Sequence, residues 1–449
     1  MDDTVPHRWL ARVVAVRPGE LRSLVWSFAY FFCLLAGYYV LRPLRDEMGI
    51  AGGVRNLQWL FTATFAVMLA AVPLFGAVVA RLPRRRFIPL VYHFFVANIA
   101  IFWLLLALDV GKVHVARVFF VWISVFNLFA VSVFWSFMAD LFSSEQGKRL
   151  FGFIAAGGSA GALAGPAITV WLAVPLGPVN LLVVAAVLLE AAVLCAKRLE
   201  LASEQARPGG TSPAQVPPAA QRESAVLGGN WLAGIAMVLR SPYIAGIALW
   251  VALLSLAGTF LYFQQASIVA SASDDPAVRT RIFATIDLVV GILTLFVQFL
   301  ATGRLISRFG AGPAVAFLPI VFAFGFAMLA FSPALLVVIA FQAAQRIANF
   351  ALANPAREVL FTVLEREEKY KAKNVIDIVV FRGADAASGW LFATLRATGL
   401  EISAIALATV PVAAAWFALA LALGRAQERR ALQRTPRTGD NASITSKRA

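Results

Sequence analysis

The sequence predicts an all-α, polytopic membrane protein with about twelve transmembrane helices in two six-helix bundles. Composition is the first reason. Hydrophobic residues make up 60% of the 449 and charged residues 14%, with a mean hydropathy of +0.79. A soluble surface needs more charge than that, so the chain belongs in a lipid bilayer. The second reason is the recurrence of apolar windows about 20 residues long, enough to cross the hydrocarbon core. The third is the placement of basic residues between those windows, predominantly on one side.

Residues 1–22 open with Arg8, Arg12, Arg17 and Arg22. This polar start is too long for a cleavable signal, and reads as a cytoplasmic N-terminus leading into a retained helix. Apolar windows then lie near 24–44, 58–80, 87–109, 116–140, 151–173 and 178–196. They resume near 243–270, 283–302, 313–331, 334–355, 374–396 and 403–424. Between the sets, 199–230 is rich in Pro, Gly, Ala and Ser and reads as a flexible cytoplasmic linker. It divides an N-terminal bundle, 23–198, from a C-terminal bundle, 231–427. Residues 428–449 read as a disordered cytoplasmic tail.

The formal net charge of +15 does not point to nucleic acid, because the basic residues are dispersed among short segments. Arg81 and Arg84–Arg86, Lys148 and Arg149, Arg304 and Arg308, and Lys369–Lys373 all fall on one side if the N-terminus is cytoplasmic. An even number of spans then leaves both termini inside. Cys33 and Cys195 sit in apolar runs and suggest neither a disulfide framework nor a metal site.

Two segments repeat. Gly76-Ala-Val-Val-Ala-Arg81 follows the second window and Gly303-Arg-Leu-Ile-Ser-Arg308 the eighth. Repetition at equivalent places marks a transporter built from two related bundles. The first copy resembles the inner-loop signature of the major facilitator superfamily, with Ala80 at the family's Asp and Pro83 at its Gly. In the fifth window, Gly152, Gly161, Gly165 and Pro166 resemble that superfamily's antiporter signature. The likeness implies a gating role for Gly76, Arg81, Gly303, Arg308, Gly161, Gly165 and Pro166. Small residues four apart also permit close helix packing.

Ionisable groups inside spans are costly unless they face a cavity or a partner, so each is a functional candidate. Arg42 and Arg45 close the first window, three residues apart around Pro43, while Arg346 and Arg382 lie deep in the tenth and eleventh. Guanidinium forks suit carboxylate or phosphate, so these four are the candidate anion-binding groups. Tyr39, Gln265 and Asn349 are candidate solute contacts, Asn349 continuing a stripe from Gln342 and Gln345. Tyr38, Phe134 and Trp135 offer stacking surfaces for a ring-bearing solute or core packing. Asp287, Asp385 and Asp377 are candidate proton-coupling carboxylates, and Asp46 is the expected ion-pair partner of Arg42.

The tract Tyr39-Val-Leu-Arg42-Pro-Leu-Arg45-Asp46 resembles the first helix of the ATP/ADP translocase family of plastids and intracellular bacteria. Phe134-Trp135-Ser-Phe, the segment Glu145 to Phe151, Asp287, and Val375-Ile376-Asp377-Ile378-Val379 carry the likeness further. The resemblance implies that Arg45 takes the role of that family's nucleotide-recognising Lys. Other signature charges differ: Gln146 stands at one Glu, Gln264 or Gln265 near another, and Asp385 lies nearest a late Lys.

These observations predict a major-facilitator-like secondary transporter of a small anionic solute, nucleotide or other phosphate or carboxylate, working by alternating access near the midplane, with import, export and exchange all left open. The alternative is a proton-driven exporter of amphiphilic or cationic molecules, in which a lone carboxylate such as Asp287 dominates. No metalloprotease, nucleophile-elbow or phosphate-loop motif suggests an enzyme, and no cofactor is expected. The expected partners are the solute and the lipid bilayer, with the chain a monomer in a bacterial inner membrane.

Overall fold

The computed structural model describes residues 17, 20–81, 84–205, 231–298, 308 and 310–434. Gly303, most of the N-terminal segment, 206–230 of the linker and 435–449 of the tail lie outside them.

Over the described residues the apolar windows fold as helix, because a chain in lipid must satisfy its backbone groups internally. The first six are α1 (Leu21–Ala51), α2 (Leu57–Arg81), α3 (Arg84–Ala107), α4 (Lys112–Leu141), α5 (Ser144–Leu176) and α6 (Leu181–Gln205). The second set begins with α8 (Pro242–Ala272), α9 (Pro276–Val297) and α10 (Ala311–Phe331). The tenth span is α11 (Leu335–Ile347), a π-helical turn over Ala348–Ala353, and α12 (Asn354–Leu360). The eleventh is α13 (Arg366–Asn374), a second π turn over Val375–Val380, and α14 (Phe381–Ala397). The twelfth is α15 (Ile402–Arg434). Among the described residues, 9 helices are long and apolar enough to cross a membrane. The chain is an integral membrane protein.

Four boundaries differ from expectation. Lys148 and Arg149 are helical rather than looped, because Ser143 caps α5 in a reciprocal capping box with Gln146. That motif satisfies two otherwise orphaned backbone donors. The linker begins later than 199 because α6 continues to Gln205 through good helix formers, and α15 likewise carries helix past 428 to Arg434. A short helix, α7 (Trp231–Arg240), precedes the seventh span. Ser241 ends it and caps α8, with Pro242 in the first turn.

Two hydrophobic cores form, one per bundle. The first bundle is organised by α1, which packs most extensively on α5 and α6; in the second, α10 packs on α15. The second core also takes in Ile50, Leu57, Leu60 and Phe120 of the first bundle. The bundles are therefore joined by apolar packing at the end of the molecule where α1 finishes.

Glycine explains how closely α1 and α5 approach. A Cβ on Gly165 would stand 2.6 Å from both the Ala36 carbonyl oxygen and the Tyr39 Cβ, and one on Gly161 2.9 Å from the Ala36 nitrogen. Gly157 and Gly158 meet α1 equally closely, at Phe28 and Phe31. Gly161 and Gly165 of the antiporter-like signature, with Gly157 and Gly158, thus form a packing face of α5 on α1.

Candidate functional site

Three charged side chains from three helices meet at the junction of the bundles. Asp287 of α9 takes Arg42 of α1 at 3.5 Å through its Oδ1, and the same oxygen accepts a hydrogen bond from Arg346 of α11. The Asp287 side chain is 2% exposed, Arg346 13% and Arg42 22%. Desolvating such ions is expensive, and one carboxylate shared by two guanidiniums leaves a net positive charge. At a separation of about 4 Å and an effective dielectric of about 20, each unit charge there is worth roughly 4 kcal/mol to an incoming anion before its desolvation.

The triad lines a cavity of about 190 Å³, with Tyr39, Ser159, Leu163, Val290, Thr294 and Phe350 among its walls. The Arg42 guanidinium lies 5.6 Å from the centre of the Tyr39 ring. Helices α1 and α5 supply one wall and α9 and α11 the other, so both bundles build the site. Arg346 sits directly before the π turn at Ala348–Ala353. Such turns re-aim side chains and concentrate at functional sites.

Arg45 goes elsewhere. Residues three apart on a helix differ by about 60° around its axis. Arg42 accordingly meets the cavity, whereas Arg45 lies 4.0 Å over the Phe120 ring and bonds Asp46 at 3.3 Å. Asp46 also accepts from the Tyr262 hydroxyl of α8 at 2.9 Å. The expected Arg42–Asp46 pair is thereby corrected: Asp46 serves Arg45 and Tyr262, and Arg42 is held by Asp287.

Beyond Asp46 the seam is closed. Glu47, its side chain 1% exposed, accepts a two-pronged hydrogen bond from Arg279 of α9, both contacts at 2.7 Å. Trp390 of α14 donates to Thr62 of α2 at 3.0 Å and meets Trp59 edge-on. Phe61 packs on Tyr262 and Phe263. Sequence reasoning missed Glu47 and Arg279. The available signal was an arginine standing after Asp274 and Asp275, on the side the positive-inside pattern leaves poor in basic residues.

The remaining candidates scatter. Gln265 accepts from Gln342, which in turn accepts from Gln345 at 2.9 Å, forming a buried amide chain between α8 and α11. Asn349 follows within the π turn, its buried Oδ1 without a hydrogen-bond partner among the described residues. Arg382 pairs with Asp385 at 3.4 Å inside the second bundle, where Asp385 also takes Ser255 at 2.5 Å and Thr259 at 3.3 Å. Asp377 pairs with Arg357 at 3.1 Å, beside a Lys373–Glu358 pair at 2.7 Å. Neither Arg382, Asp385 nor Asp377 lines the cavity. Phe134 stacks on Phe31 at 4.0 Å and Trp135 meets Phe151, so these rings pack the first bundle. Gly76 and Arg81 lie in α2, and Pro166 follows the α5 packing glycines. Arg308 is exposed.

At the opposite end, Gln146 and Arg149 of α5 grip Glu20, the residue before α1: Gln146 donates at 3.0 Å, and Arg149 at 3.0 and 3.2 Å. Burial raises the Glu20 carboxyl, but these bonds and the Arg17 backbone N–H outweigh it and hold the group below the usual glutamate range.

The architecture, two helical bundles with a cavity between them, is similar to that of several solved transporter structures. A bacterial homologue of the human lysosomal transporter Spinster superposes with a TM-score of 0.56 at 15% identity, covering 93% of this chain and 98% of that one. The nucleoside transporter NupG gives 0.61 at 13%, covering 92% and 99%. An auto-inhibited POT family peptide transporter gives 0.60 at 14%, covering 91% and 97%. No protein-family model matches the sequence, and no curated protein matches it.

Proposed function

We propose that this protein is a secondary transporter of a small anionic solute, working by alternating access, with Arg42 and Arg346 holding the anion. The observation that carries this reading is the net positive charge of the Arg42–Asp287–Arg346 triad in a cavity shared by both bundles. A phosphate or carboxylate matches the guanidinium geometry, and the bundles can part around it. The clustering of basic residues in segments on one side supports a reading with both termini in the cytoplasm. The Glu47–Arg279 seam is then the closed outer gate and the cavity faces inward.

The same charge count favours exchange. An empty site carries an uncompensated charge that resists burial as the bundles rock, and a bound anion removes it. Reorientation is therefore easier loaded than empty. A proton-driven exporter of cations fits less well, because its essential carboxylate would have to be Asp287, which two arginines already neutralise.

The test is uptake of radiolabelled anions, including ADP, inorganic phosphate and monocarboxylates, into preloaded proteoliposomes. Uptake of one of them that falls at least tenfold in both Arg42→Gln and Arg346→Gln supports the reading. Flux indifferent to both substitutions, or confined to cations, overturns it.

A further inference from the structure

The cavity has a charged level and an apolar one. At the first, Asp287 gathers Arg42 and Arg346. Gly291 stands four residues further along α9, a step of about 6 Å for a helix. Around that second level Val290, Leu295 and Phe350 line the cavity together with Leu163 of α5. In the other direction the way is shut, because Arg279, eight residues before Asp287, is bound to Glu47, and Tyr262 to Asp46. Whatever a solute carries behind an anionic group held by Arg42 and Arg346 must therefore extend past Leu163.

Leu163 is fitted to Gly291 across the two bundles. A Cβ at Gly291 would stand 2.7 Å from Leu163 Cδ2, closer than such carbons come, so the leucine tip fills the room that glycine leaves. Backed against α9 in this way, the side chain cannot withdraw further from the cavity it lines. Its remaining surface, only half-buried, is offered to the solute.

We propose that Leu163 is a specificity-determining residue, which sets how bulky a group the solute can carry beside its anionic end. A compact unbranched group passes it, whereas a branched one meets a wall that has nowhere to move. This assignment rests on the anion-transport reading above and deepens it.

The experiment measures proteoliposome uptake of butanoate, 3-methylbutanoate and 3,3-dimethylbutanoate, which share one charge and differ by successive methyls on the same carbon. The readout is the ratio of apparent affinities within each protein, which a merely weakened fold does not move. Wild type is expected to prefer butanoate over the dimethyl acid. Each newly accommodated methyl is worth about fourfold in affinity. Leu163→Ala is therefore expected to raise the ratio of dimethyl acid to butanoate by about tenfold or more. Leu163→Val is expected to raise it less, and carries the test if melting temperatures show that the alanine variant does not fold. A ratio unmoved in the folded variants, with uptake still lost in Arg346→Gln, overturns the role of Leu163 and leaves anion transport standing. Arginine-dependent flux confined to ADP or inorganic phosphate does the same. No flux of any anion, in protein shown to be folded, overturns both.

Discussion

Replacing Gly165 by alanine tests how the packing of α1 on α5 shapes the site. The new methyl would stand 2.6 Å from the Ala36 carbonyl oxygen and from the Tyr39 Cβ, and 3.0 Å from the Tyr39 carbonyl carbon. Two of these neighbours are backbone and none can rotate aside. Ordinary contact begins near 3.4 Å, so α1 must retreat by about 0.8 Å at this turn. A gap of that width forfeits about a quarter to a half of the dispersion attraction along the affected row. Overpacking of this kind destabilises by about 1–3 kcal/mol. Tyr39 lies at the point of contact and Arg42 one turn beyond it, so the retreat also displaces two cavity residues. Thermal unfolding in detergent and solute uptake in proteoliposomes should therefore fall together, the melting temperature by several degrees. Gly152→Ala is the control, because nothing lies within 4 Å of its added Cβ. An unchanged melting temperature for Gly165→Ala, or an equal fall for Gly152→Ala, would refute the reasoning.

Other outcomes follow from the same geometry. Arg279→Gln leaves Glu47 buried without its charged partner and is expected to open that end of the seam, raising alkylation of a cysteine placed at Thr62 by at least severalfold. Unchanged labelling would count against a gate there. Arg45→Ala is expected to alter solute affinity by less than about threefold, since Arg45 stacks on Phe120 outside the cavity. A loss as large as that of Arg346→Gln would restore the recognition role implied by the translocase resemblance. Because the Glu20 carboxyl is held low, its stabilisation is complete above the usual glutamate range and disappears as pH falls through its lowered value. Glu20→Gln should therefore flatten the acid limb of the thermal-stability profile, measured by melting temperature from neutral to acid pH.

Window length and hydropathy were sufficient to predict a polytopic all-α membrane protein, because in lipid these properties are nearly the whole of the folding problem. The same rules identified Arg42, Arg346 and Asp287 as groups requiring a partner, since a charge within a span is legible from position alone. What they could not supply was pairing. Arg42 and Arg45 look equivalent in sequence, yet a 60° turn of the helix sends one to Asp287 and the other to Phe120. The spacing of Gly161 and Gly165 permits close helix packing, but only the tertiary structure shows that the helix they meet is α1. Glu47 and Arg279 are distant in the chain and unremarkable in composition, so their bond is visible only once the bundles are docked. The sequence by itself determined that this chain is a membrane-embedded helical protein with arginines buried in its spans, because burial in lipid acts on each segment separately. The tertiary structure alone decided which of those arginines share a carboxylate and face a cavity, because that depends on helix rotation and docking, which no single segment encodes.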